Sequence, residues 1–200
     1  MSEKPINAER ALPEIIQRDV VAQSRLFRVE ALQLRFSNGE ERVYERIPGG
    51  NRHAVMIVPI LNNDTLLLIR EYAAGTHSYE IGFPKGLVDA GETDADAANR
   101  ELQEEIGMAS RQLTFLKQVS LAPGFMNARM AIFLAKDLYP QQLVGDEPEP
   151  LEVIPWPLQE ADALLEHPQF HEARSVAALL LLLRHLKEDT ALRSETSLIK

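Results

Sequence analysis

The sequence contains no cysteine, which excludes a disulfide framework and any metal site built from thiolates. It also lacks an apolar run long enough to cross a bilayer, because the longest, 176–183, is well short of the roughly 18 residues that a membrane helix needs. The polar segment 1–15 has no apolar centre of the kind found in signal peptides. We therefore expect a cytoplasmic protein that does not associate with membranes.

Positive charge is also scarce, since 21 Lys and Arg residues face 30 Asp and Glu residues, for a net charge of −9. This balance argues against general affinity for nucleic acid or for anionic membrane surfaces. It also requires that an anionic substrate be attracted by local positive charge or by a metal ion. The apolar content of 45% is ordinary for a globular protein, and 200 residues suit one domain with an extension or two small units.

The chain does have an acidic segment with a strong helical pattern, 86–108 (GLVDAGETDADAANRELQEEIGM). Thr93 is a good N-cap for this helix. Gly107 is placed to end it, because glycine accepts the left-handed conformation that such an end requires. Apolar residues recur at helical spacing and predict a buried stripe formed by Ala98, Leu102 and Ile106.

Three glutamates of this helix, Glu101, Glu104 and Glu105, stand at positions i, i+3 and i+4, so their carboxylates converge on another face. The like charges repel one another, and a bound divalent cation would offset that cost. Hard cations such as Mg²⁺ prefer oxygen ligands, and the loop 84–86 can add a backbone carbonyl. Three glutamates alone are more often a solvated acidic helix face, so the choice between these interpretations depends on the surrounding pattern.

The rest of the chain predicts an α/β fold with a mixed sheet. Segment 54–61 (AVMIVPIL) is nearly all apolar, as is typical of a strand buried on both faces. Helices are predicted at 158–166 and at 176–188, the second with Ser175 as its N-cap. A sheet between the 86–108 helix and this last helix gives an α/β/α sandwich. The other predicted strands are 65–72, 78–83, 113–121, 129–136 and 151–156.

The N-terminal part is predicted to form a separate, small antiparallel unit. Segment 24–36 indicates a strand pair or one long bent strand, Asn38-Gly39 is a strong hairpin turn signal, and 41–47 returns as a strand. A hairpin of this size is not stable alone, so it must pack on the main domain or on a second copy of the chain. The predicted divisions are a flexible arm (1–20), the N-terminal β unit (21–50), the main domain (51–190) and a loose tail (191–200).

The full pattern of segment 86–108 decides between the two interpretations of its glutamates. The segment matches every fixed position of the Nudix box. In order, these positions are Gly, five residues, Glu, seven residues, Arg-Glu, an aliphatic residue, one residue, Glu-Glu, one residue, Gly and an apolar residue. The similarity extends to 24–46, to LAPGF at 121–125, and to GDEPEPLEVIPWPL at 145–158 with the later ARSVAALLLL helix. Over nearly its whole length the chain resembles the Nudix hydrolases, and within them the ADP compounds hydrolases of the NudE type, close to the ADP-ribose pyrophosphatases.

This resemblance implies hydrolysis of the pyrophosphate bond in ADP-ribose, NADH and diadenosine polyphosphates, with release of AMP. It implies the Nudix α/β/α sandwich, two or three Mg²⁺ ions with Mn²⁺ as an alternative, and a small-molecule nucleotide as the substrate. It also implies a homodimer in which the N-terminal strands reach across to the other copy. Such a dimer would answer the packing problem of the N-terminal hairpin.

Carried over by position, the acidic residues of the box form the metal site. The metal ions would bridge phosphate oxygens and position a water for in-line attack on phosphorus. Arg100 would hold a box glutamate by a charge-assisted bond, with Glu92 as its structural partner. The implied ligands are Glu101 and Glu105, Glu104 as a further ligand or near neighbour, and the backbone carbonyl of Lys85.

The attacking water also needs a base, which in ADP-ribose pyrophosphatases is a glutamate in a mobile loop after the sheet. The matching loop here is 145–149 (GDEPE), where we assign Glu147 as the base and Glu149 as an extra metal ligand. Pro148 and Pro150 restrict this loop. The alternative is an acidic loop that is merely solvated.

The sequence signals for substrate-binding residues are less specific than those for the metal site. Phe27 would face adenine, in the site of a partner subunit, or else it is a core residue. Arg70 would offset substrate charge or form a surface salt bridge, and the Lys85 side chain would touch a phosphate. Segment 82–85 is longer than the usual link of ADP-ribose pyrophosphatases, and their paired adenine-facing arginines are not found. Both departures favour a broader range of ADP-linked substrates.

Two other functions stay open at this point. A Nudix-like sensor would bind a nucleotide without cleaving it, but such modules usually lose box glutamates, and this chain keeps all of them. A hydrolase of nucleoside triphosphates often lacks both the long N-terminal unit and the 145–149 loop. The five histidines show no ligand spacing, and we interpret them as surface or packing residues.

Overall fold

The computed structural model describes residues 10–49 and 53–197, with the side chains of the last helix described up to residue 189. Internal contacts divide the chain into two compact units, which we call the first and the second unit. The first unit comprises Met1–Gly50 with the loop Ala122–Ala128, and the second comprises Asn51–Leu121 with Arg129–Lys200.

The first unit is a three-stranded antiparallel sheet whose strands follow chain order. Gly39 has a φ of 83°, and Asn38 Oδ1 accepts a hydrogen bond from the Glu40 N–H at 3.1 Å. The hairpin turn predicted at this point is confirmed. Beyond the sheet, Ile47 forms an isolated bridge with Met126, which lies in the loop that belongs to this unit. The strands are β1 (Glu14–Gln23), β2 (Arg28–Arg35) and β3 (Glu41–Arg46).

Two predictions for this unit are wrong in part. The flexible arm expected over 1–20 is a strand from Glu14 onward, because β1 pairs with β2 along its length and these backbone bonds outweigh its charged composition. Residues 1–9 of that arm lie outside the described residues. The expected strand pair or bent strand at 24–36 is a turn followed by β2, since the Ser24 N–H donates to the Phe27 carbonyl at 2.7 Å.

Little of the first unit is buried within a single chain. Leu32 is buried, and the carboxylate of Glu30 is buried against Arg28 and Arg46, with 3.2 Å between Glu30 Oε2 and Arg46 Nη2. Strand β1 is exposed along its whole length. The exposed apolar side chains of the unit include Leu12, Ile15, Ile16, Val20, Val21, Leu26, Phe27, Val43 and Tyr44.

The second unit is built on a mixed sheet, as predicted, with seven strands in place of the six that the sequence indicates. Its main path runs β10-β5-β4-β9-β8, while β6 pairs with β5 and β7 pairs with β4. Only the β4–β9 pair is parallel among the described strand pairs of this sheet. The strands are β4 (Ala54–Leu61), β5 (Thr65–Ala73), β6 (Ser78–Gly82), β7 (Lys85–Leu87), β8 (Met108–Ser120), β9 (Arg129–Pro140) and β10 (Glu152–Pro157).

Two α-helices, α1 (Asp94–Glu105) and α2 (Ala173–Ser197), cover this sheet, together with 3₁₀ turns over Leu158–Glu166. Thr93 is the N-cap of α1, since its side chain accepts a hydrogen bond from the Asp96 N–H at 3.1 Å. Gly107, with φ 67°, follows the end of the helix as predicted. Within the described residues, no helix combines the length and the apolar character needed to cross a membrane.

Strand β4 is covered on both faces, as its apolar run predicts. Alternate side chains of a strand point to opposite faces. Val55 therefore packs in one buried cluster with Leu102 of α1, while its neighbour Met56 packs in another with Leu179 of α2. The α/β/α sandwich is confirmed.

Both ends of α2 differ from their predictions. The predicted N-cap Ser175 lies inside the helix, and the carboxylate of Glu172 instead accepts hydrogen bonds from the backbone N–H groups of Arg174 and Ser175 at 3.1 and 3.0 Å. The tail predicted to be loose is helical over 191–197, because no glycine or proline interrupts the chain from residue 176 to 197. Residues 198–200 lie outside the described residues.

Candidate active site

A cleft of about 580 Å³ in the second unit collects most of the acidic site residues that the sequence singles out. Its walls come from β5, from β7 and the turn after it, from α1, and from the loop that follows β9. Seven acidic side chains and two basic ones line it, so negative charge is in excess. The acidic residues are Glu71, Asp89, Glu101, Glu104, Glu105, Asp146 and Glu147, and the basic residues are Lys85 and Arg100.

Helix α1 brings its three glutamates to this cleft because of the periodicity that the sequence shows. The buried side of α1 includes Leu102, which is fully buried, and this fixes the rotation of the helix about its axis. Glu101 and Glu105 are each only 7% exposed although they carry charge. Charged side chains are seldom this buried unless they are paired or bind a cation.

A glycine makes room for one of these carboxylates. A Cβ atom added to Gly86 would lie 2.1 Å from the Glu101 carboxylate, which is closer than any real contact of that kind. The first glycine of the box is therefore required because a larger residue would clash with Glu101. Backbone conformation is not the reason, since the φ of Gly86 is not in the left-handed region. The motif reveals the glycine but not this reason for it.

Arg100 organises the acidic side chains around it. It donates two hydrogen bonds to Glu92, from Nε to Oε1 and from Nη2 to Oε2, both at 3.0 Å. Glu92 is the partner expected from the sequence. Its Nη1 donates to Glu101 Oε1 at 2.6 Å and to Glu104 Oε2 at 2.8 Å, and its Nη2 also donates to the Leu87 carbonyl at 2.8 Å. The hydrogen bonds that Arg100 donates to Glu92 lower the pKa of Glu92 and raise the pKa of Arg100.

The surroundings of Glu105 disfavour the charged form of its carboxylate. Its Oε2 accepts a hydrogen bond from the backbone N–H of Lys85 at 2.9 Å. Burial nevertheless raises the pKa of Glu105 to about 8, with the Lys85 charge opposing the rise and Glu101 and Glu71 adding to it. Burial also raises the pKa of Glu101, against the opposing effect of Arg100. The cleft is therefore short of positive charge.

The chemistry of this donor set fits a hard divalent cation. Its candidate ligands are carboxylate oxygens and a backbone carbonyl, which suit Mg²⁺ or Mn²⁺. Within the part of the chain that the structure describes, no three acidic or histidine side chains are already converged on one point as a metal group. Arg100 Nη1 donates hydrogen bonds to oxygens of both Glu101 and Glu104. A cation would have to compete with that guanidinium.

The loop after β9 reaches the cleft with Glu147, which the sequence assigns as the base. Its carboxylate lies against the backbone of Gly145, where an added Cβ would be 2.2 Å from Glu147 Oε2. The negative charge of Glu147 also contributes to the raised pKa of Glu101. The two side chains, separated by 46 positions in the sequence, are thus electrostatic neighbours.

Three predicted site residues do not line the cleft. Glu149 Oε1 accepts a hydrogen bond from the Tyr79 hydroxyl at 2.5 Å, and its role as a metal ligand stays a prediction. Arg70 Nε lies 2.8 Å from Glu152 Oε2, so its charge is engaged in an ion pair, the simpler of the two sequence interpretations. Phe27 belongs to the first unit, where the residue is 58% exposed and is not among the buried core residues.

Sequence reasoning missed four residues of interest. Glu71 lines the cleft and pairs with the ammonium of Lys85, which therefore has a partner before any phosphate arrives. Asp89 and Asp146 also line the cleft, and Tyr79 holds Glu149. Asp89 and Asp146 lie inside the box segment and the 145–149 loop, where the sequence gives them no role. Glu71 and Tyr79 stand on β5 and β6, and only tertiary folding brings them near the cleft or its loop.

Comparison with known proteins gives a consistent result. Two family models match the chain: the NudE-type Nudix hydrolase N-terminal domain over residues 13–46 and the NUDIX domain over residues 50–180. The ADP compounds hydrolase NudE of Escherichia coli is 57% identical over 175 residues, which cover 88% of this chain and 94% of that protein. The ADP-ribose pyrophosphatase of Bacillus subtilis is 26% identical over 80% of this chain and 84% of its own.

A solved structure is similar over almost its whole length. The crystal structure of an ADP compounds hydrolase superposes with a TM-score of 0.87 at 54% sequence identity. The match covers 92% of this chain and 98% of that one. The fold described above is therefore shared with a protein of that name.

Proposed function

This chain belongs to the Nudix hydrolase family, and we propose that it cleaves the pyrophosphate bond of ADP-containing compounds in a metal-dependent reaction that releases AMP. The substrates we propose are ADP-ribose, NADH and diadenosine polyphosphates. The observation that carries the proposal is the meeting of the box glutamates and Glu147 in one cleft that also contains Lys85 and Arg100. The similarity to relatives named for ADP compounds and ADP-ribose supports the substrate class.

In this proposal Glu101, Glu104 and Glu105 hold two or three Mg²⁺ ions together with the backbone carbonyl of Lys85. The bound cations supply charge neutralisation at the phosphate oxygens and lower the pKa of a bound water. Arg100 keeps Glu101 and Glu104 on the cleft side of the helix through its grip on Glu92. The Lys85 N–H holds Glu105 in place.

Glu147 acts as the general base. Its carboxylate takes a proton from the attacking water as the water oxygen forms a bond to phosphorus, and the bond from phosphorus to the bridging oxygen breaks. The leaving group departs with that oxygen, and the proton remains on Glu147 until solvent removes it.

We also propose that the substrate contacts include Phe27 from a partner subunit, the Lys85 ammonium and Arg70. Lys85 and Arg70 are paired with Glu71 and Glu152, so each would exchange an ion pair for a phosphate contact. Phe27 has an exposed ring that is free of the core of its own unit, as adenine stacking requires.

The proposal includes a homodimer. The first unit exposes many apolar side chains on a sheet of only three strands, and a patch of this kind usually marks an interface. A second copy of the chain is the partner that resemblance favours. Sedimentation equilibrium checks this point: we expect a dimer for the wild type and a weaker dimer for Val21→Asp, which places a charge in β1. A monomeric wild type would contradict it.

The test of the reaction is an assay with Mg²⁺ and a panel of ADP-ribose, NADH, diadenosine triphosphate and modified nucleoside triphosphates. We expect AMP from the first three, and no hydrolysis without a divalent cation. Nucleotide binding without turnover would favour the sensor, and activity on triphosphates alone would favour the triphosphatase. Cell fractionation tests the cytoplasmic location that we propose with this activity.

A further inference from the structure

The loop that carries Glu147 is attached at its first end to the C-terminal end of α1. The Leu143 N–H donates to the Gln103 carbonyl at 3.1 Å, and Gln142 Nε2 donates to the Glu104 carbonyl at 3.3 Å. These are carbonyls that a helix end leaves without partners inside the helix. The start of the loop is thus held by the helix that carries the box glutamates.

The second end of the loop is attached to a different element. Glu149 Oε1 lies 2.5 Å from the hydroxyl of Tyr79, which stands on β6. A phenol donating to a carboxylate at this distance is a charge-assisted hydrogen bond, of the strong class. Between Leu143 and Glu149 only residues 144–148 are left, and they include Glu147 and the stiff Pro148.

We propose that Tyr79 is a positioning residue: by holding Glu149, it closes the second end of loop 144–148 and keeps the Glu147 carboxylate at the cleft. This inference rests on the proposed role of Glu147 as the base. A five-residue segment fixed at both ends has far fewer conformations than one fixed at a single end. In this assignment Glu149 is the anchor of the loop and not a metal ligand, which agrees with its absence from the cleft lining.

The chain offers a matched control in Tyr72. It is the cross-strand partner of Tyr79, their rings are 5.8 Å apart, and their exposed fractions are 43% and 47%. The Tyr72 hydroxyl contacts His77 Nδ1 at 2.7 Å and has no described contact with the loop. Tyr72→Phe therefore removes the same atom from the same surface without releasing Glu149.

The first experiment does not depend on activity. Hydrogen exchange is measured at the Leu143 amide, which donates to the Gln103 carbonyl at the first end of the loop, in the wild type, in Tyr79→Phe and in Tyr72→Phe. We expect exchange at this amide to be about tenfold faster in Tyr79→Phe, because the loop loses its second attachment and its first attachment then opens more often. Tyr72→Phe should exchange like the wild type. Equal exchange in all three proteins would overturn the proposal, whatever the enzyme hydrolyses.

The second experiment separates positioning from binding and from a merely structural role. We expect kcat for ADP-ribose to fall about tenfold in Tyr79→Phe, while KM, Mn²⁺ affinity and the melting temperature stay near those of the wild type. Glu149→Ala should match Tyr79→Phe, and Glu149→Gln should keep part of the activity because an amide oxygen still accepts the bond. The Tyr79→Phe/Glu149→Ala double variant should be no worse than either single variant, because both remove the same bond.

The outcomes are distinguishable. An unchanged kcat in Tyr79→Phe would overturn the positioning role. A large loss of Mn²⁺ affinity in Glu149→Gln with unchanged exchange in the loop would overturn it too, and would make Glu149 a metal ligand. A wild type that hydrolyses no member of the panel would refute the proposed function, and with it the catalytic half of this proposal, while the exchange experiment still decides whether Tyr79 holds the loop.

Discussion

Glu172 at the start of α2 and Glu105 at the end of α1 are carboxylates at opposite kinds of helix terminus, and their pKa values are shifted in opposite directions. The Glu172 side chain is half-buried, while Glu105 is buried. Burial alone would raise the pKa of Glu172, but hydrogen bonds from Arg174 and Ser175 outweigh it and lower the pKa below its usual value of 4.5. The pKa of Glu105 is raised to about 8, because one backbone N–H and the Lys85 charge do not offset its burial. The fold thus gives Glu172 enough hydrogen bonds to stabilise its charged form, while the partners of Glu105 do not offset the cost of burying its charge.

The difference separates residues that serve the fold from residues that serve the site. A carboxylate that caps a helix contributes stability, so folding alone accounts for Glu172. A buried and under-compensated carboxylate costs stability, and strongly perturbed pKa values cluster at functional sites. If this distinction holds, substitutions in the two places should separate activity from stability.

The largest effect is expected for Glu105→Gln. We expect kcat to fall by several orders of magnitude, because the variant loses the charge that holds a cation near the transition state. The fold should be intact and the free energy of unfolding not lower, since the amide oxygen can still accept the Lys85 N–H and no charge is buried. AMP release and thermal melting measure the two quantities, and near-normal activity would refute the metal assignment.

The next largest effect is expected for Glu147→Gln, which tests whether the loop carboxylate has a different role from the carboxylates of α1. We expect kcat to fall about 10²–10⁴-fold, the usual contribution of a general base, with Mn²⁺ affinity nearly unchanged. Steady-state kinetics and a Mn²⁺ titration check this together. Loss of Mn²⁺ binding instead would mean that Glu147 is a ligand and that the base lies elsewhere.

A smaller effect is expected for Gly86→Ala, which leaves every catalytic group present. The added Cβ would meet the Glu101 carboxylate at 2.1 Å and must displace it, and a shift of about 1 Å in a site can cost about 10²-fold in rate. Gly75→Ala is the control, because a Cβ there meets nothing within 4 Å and its φ is not positive. Equal activity of both variants would show that the position of Glu101 is not critical.

The smallest effect is expected for Glu172→Gln, and it concerns stability alone. A folded-state pKa below 4.5 means that Glu172 contributes stability above pH 4.5, and that this contribution is lost as the pH falls through the lowered pKa. At pH 7 the variant should be less stable by about 1 kcal/mol, with kcat unchanged. Urea unfolding at pH 7 and below pH 4 measures the gap, which should close in acid; a gap independent of pH would contradict this account.

Several elements could be predicted from the sequence because their signals are local. The bounds of β4 follow from an uninterrupted apolar run, and α1 follows from its cap, its period and its final glycine. The pairing of Arg100 with Glu92 spans one loop and two turns of helix, which motif spacing captures. Strand β7 was missed, because three residues are too few to show a period.

Other features could not be predicted, because their partners are far apart in the sequence. The contact of Tyr79 with Glu149 spans 70 positions, and Tyr79 stands in no recognisable pattern. Arg70 meets Glu152 only because β5 and β10 pair in one register. Glu172 caps α2 in place of Ser175, because the helix begins at Ala173 and not at residue 176 as the sequence pattern indicates.

By itself the sequence determined the class of the fold, the helix that gathers the glutamates and the family to which the chain belongs, since periodicity and motif spacing act over one or two turns. Only the tertiary structure decided which carboxylates share the cleft, how Arg100 and the Lys85 N–H hold them, and which side chain anchors the loop of Glu147. The physical reason is that burial and the distance between charges set their electrostatics, and both arise when distant segments pack together.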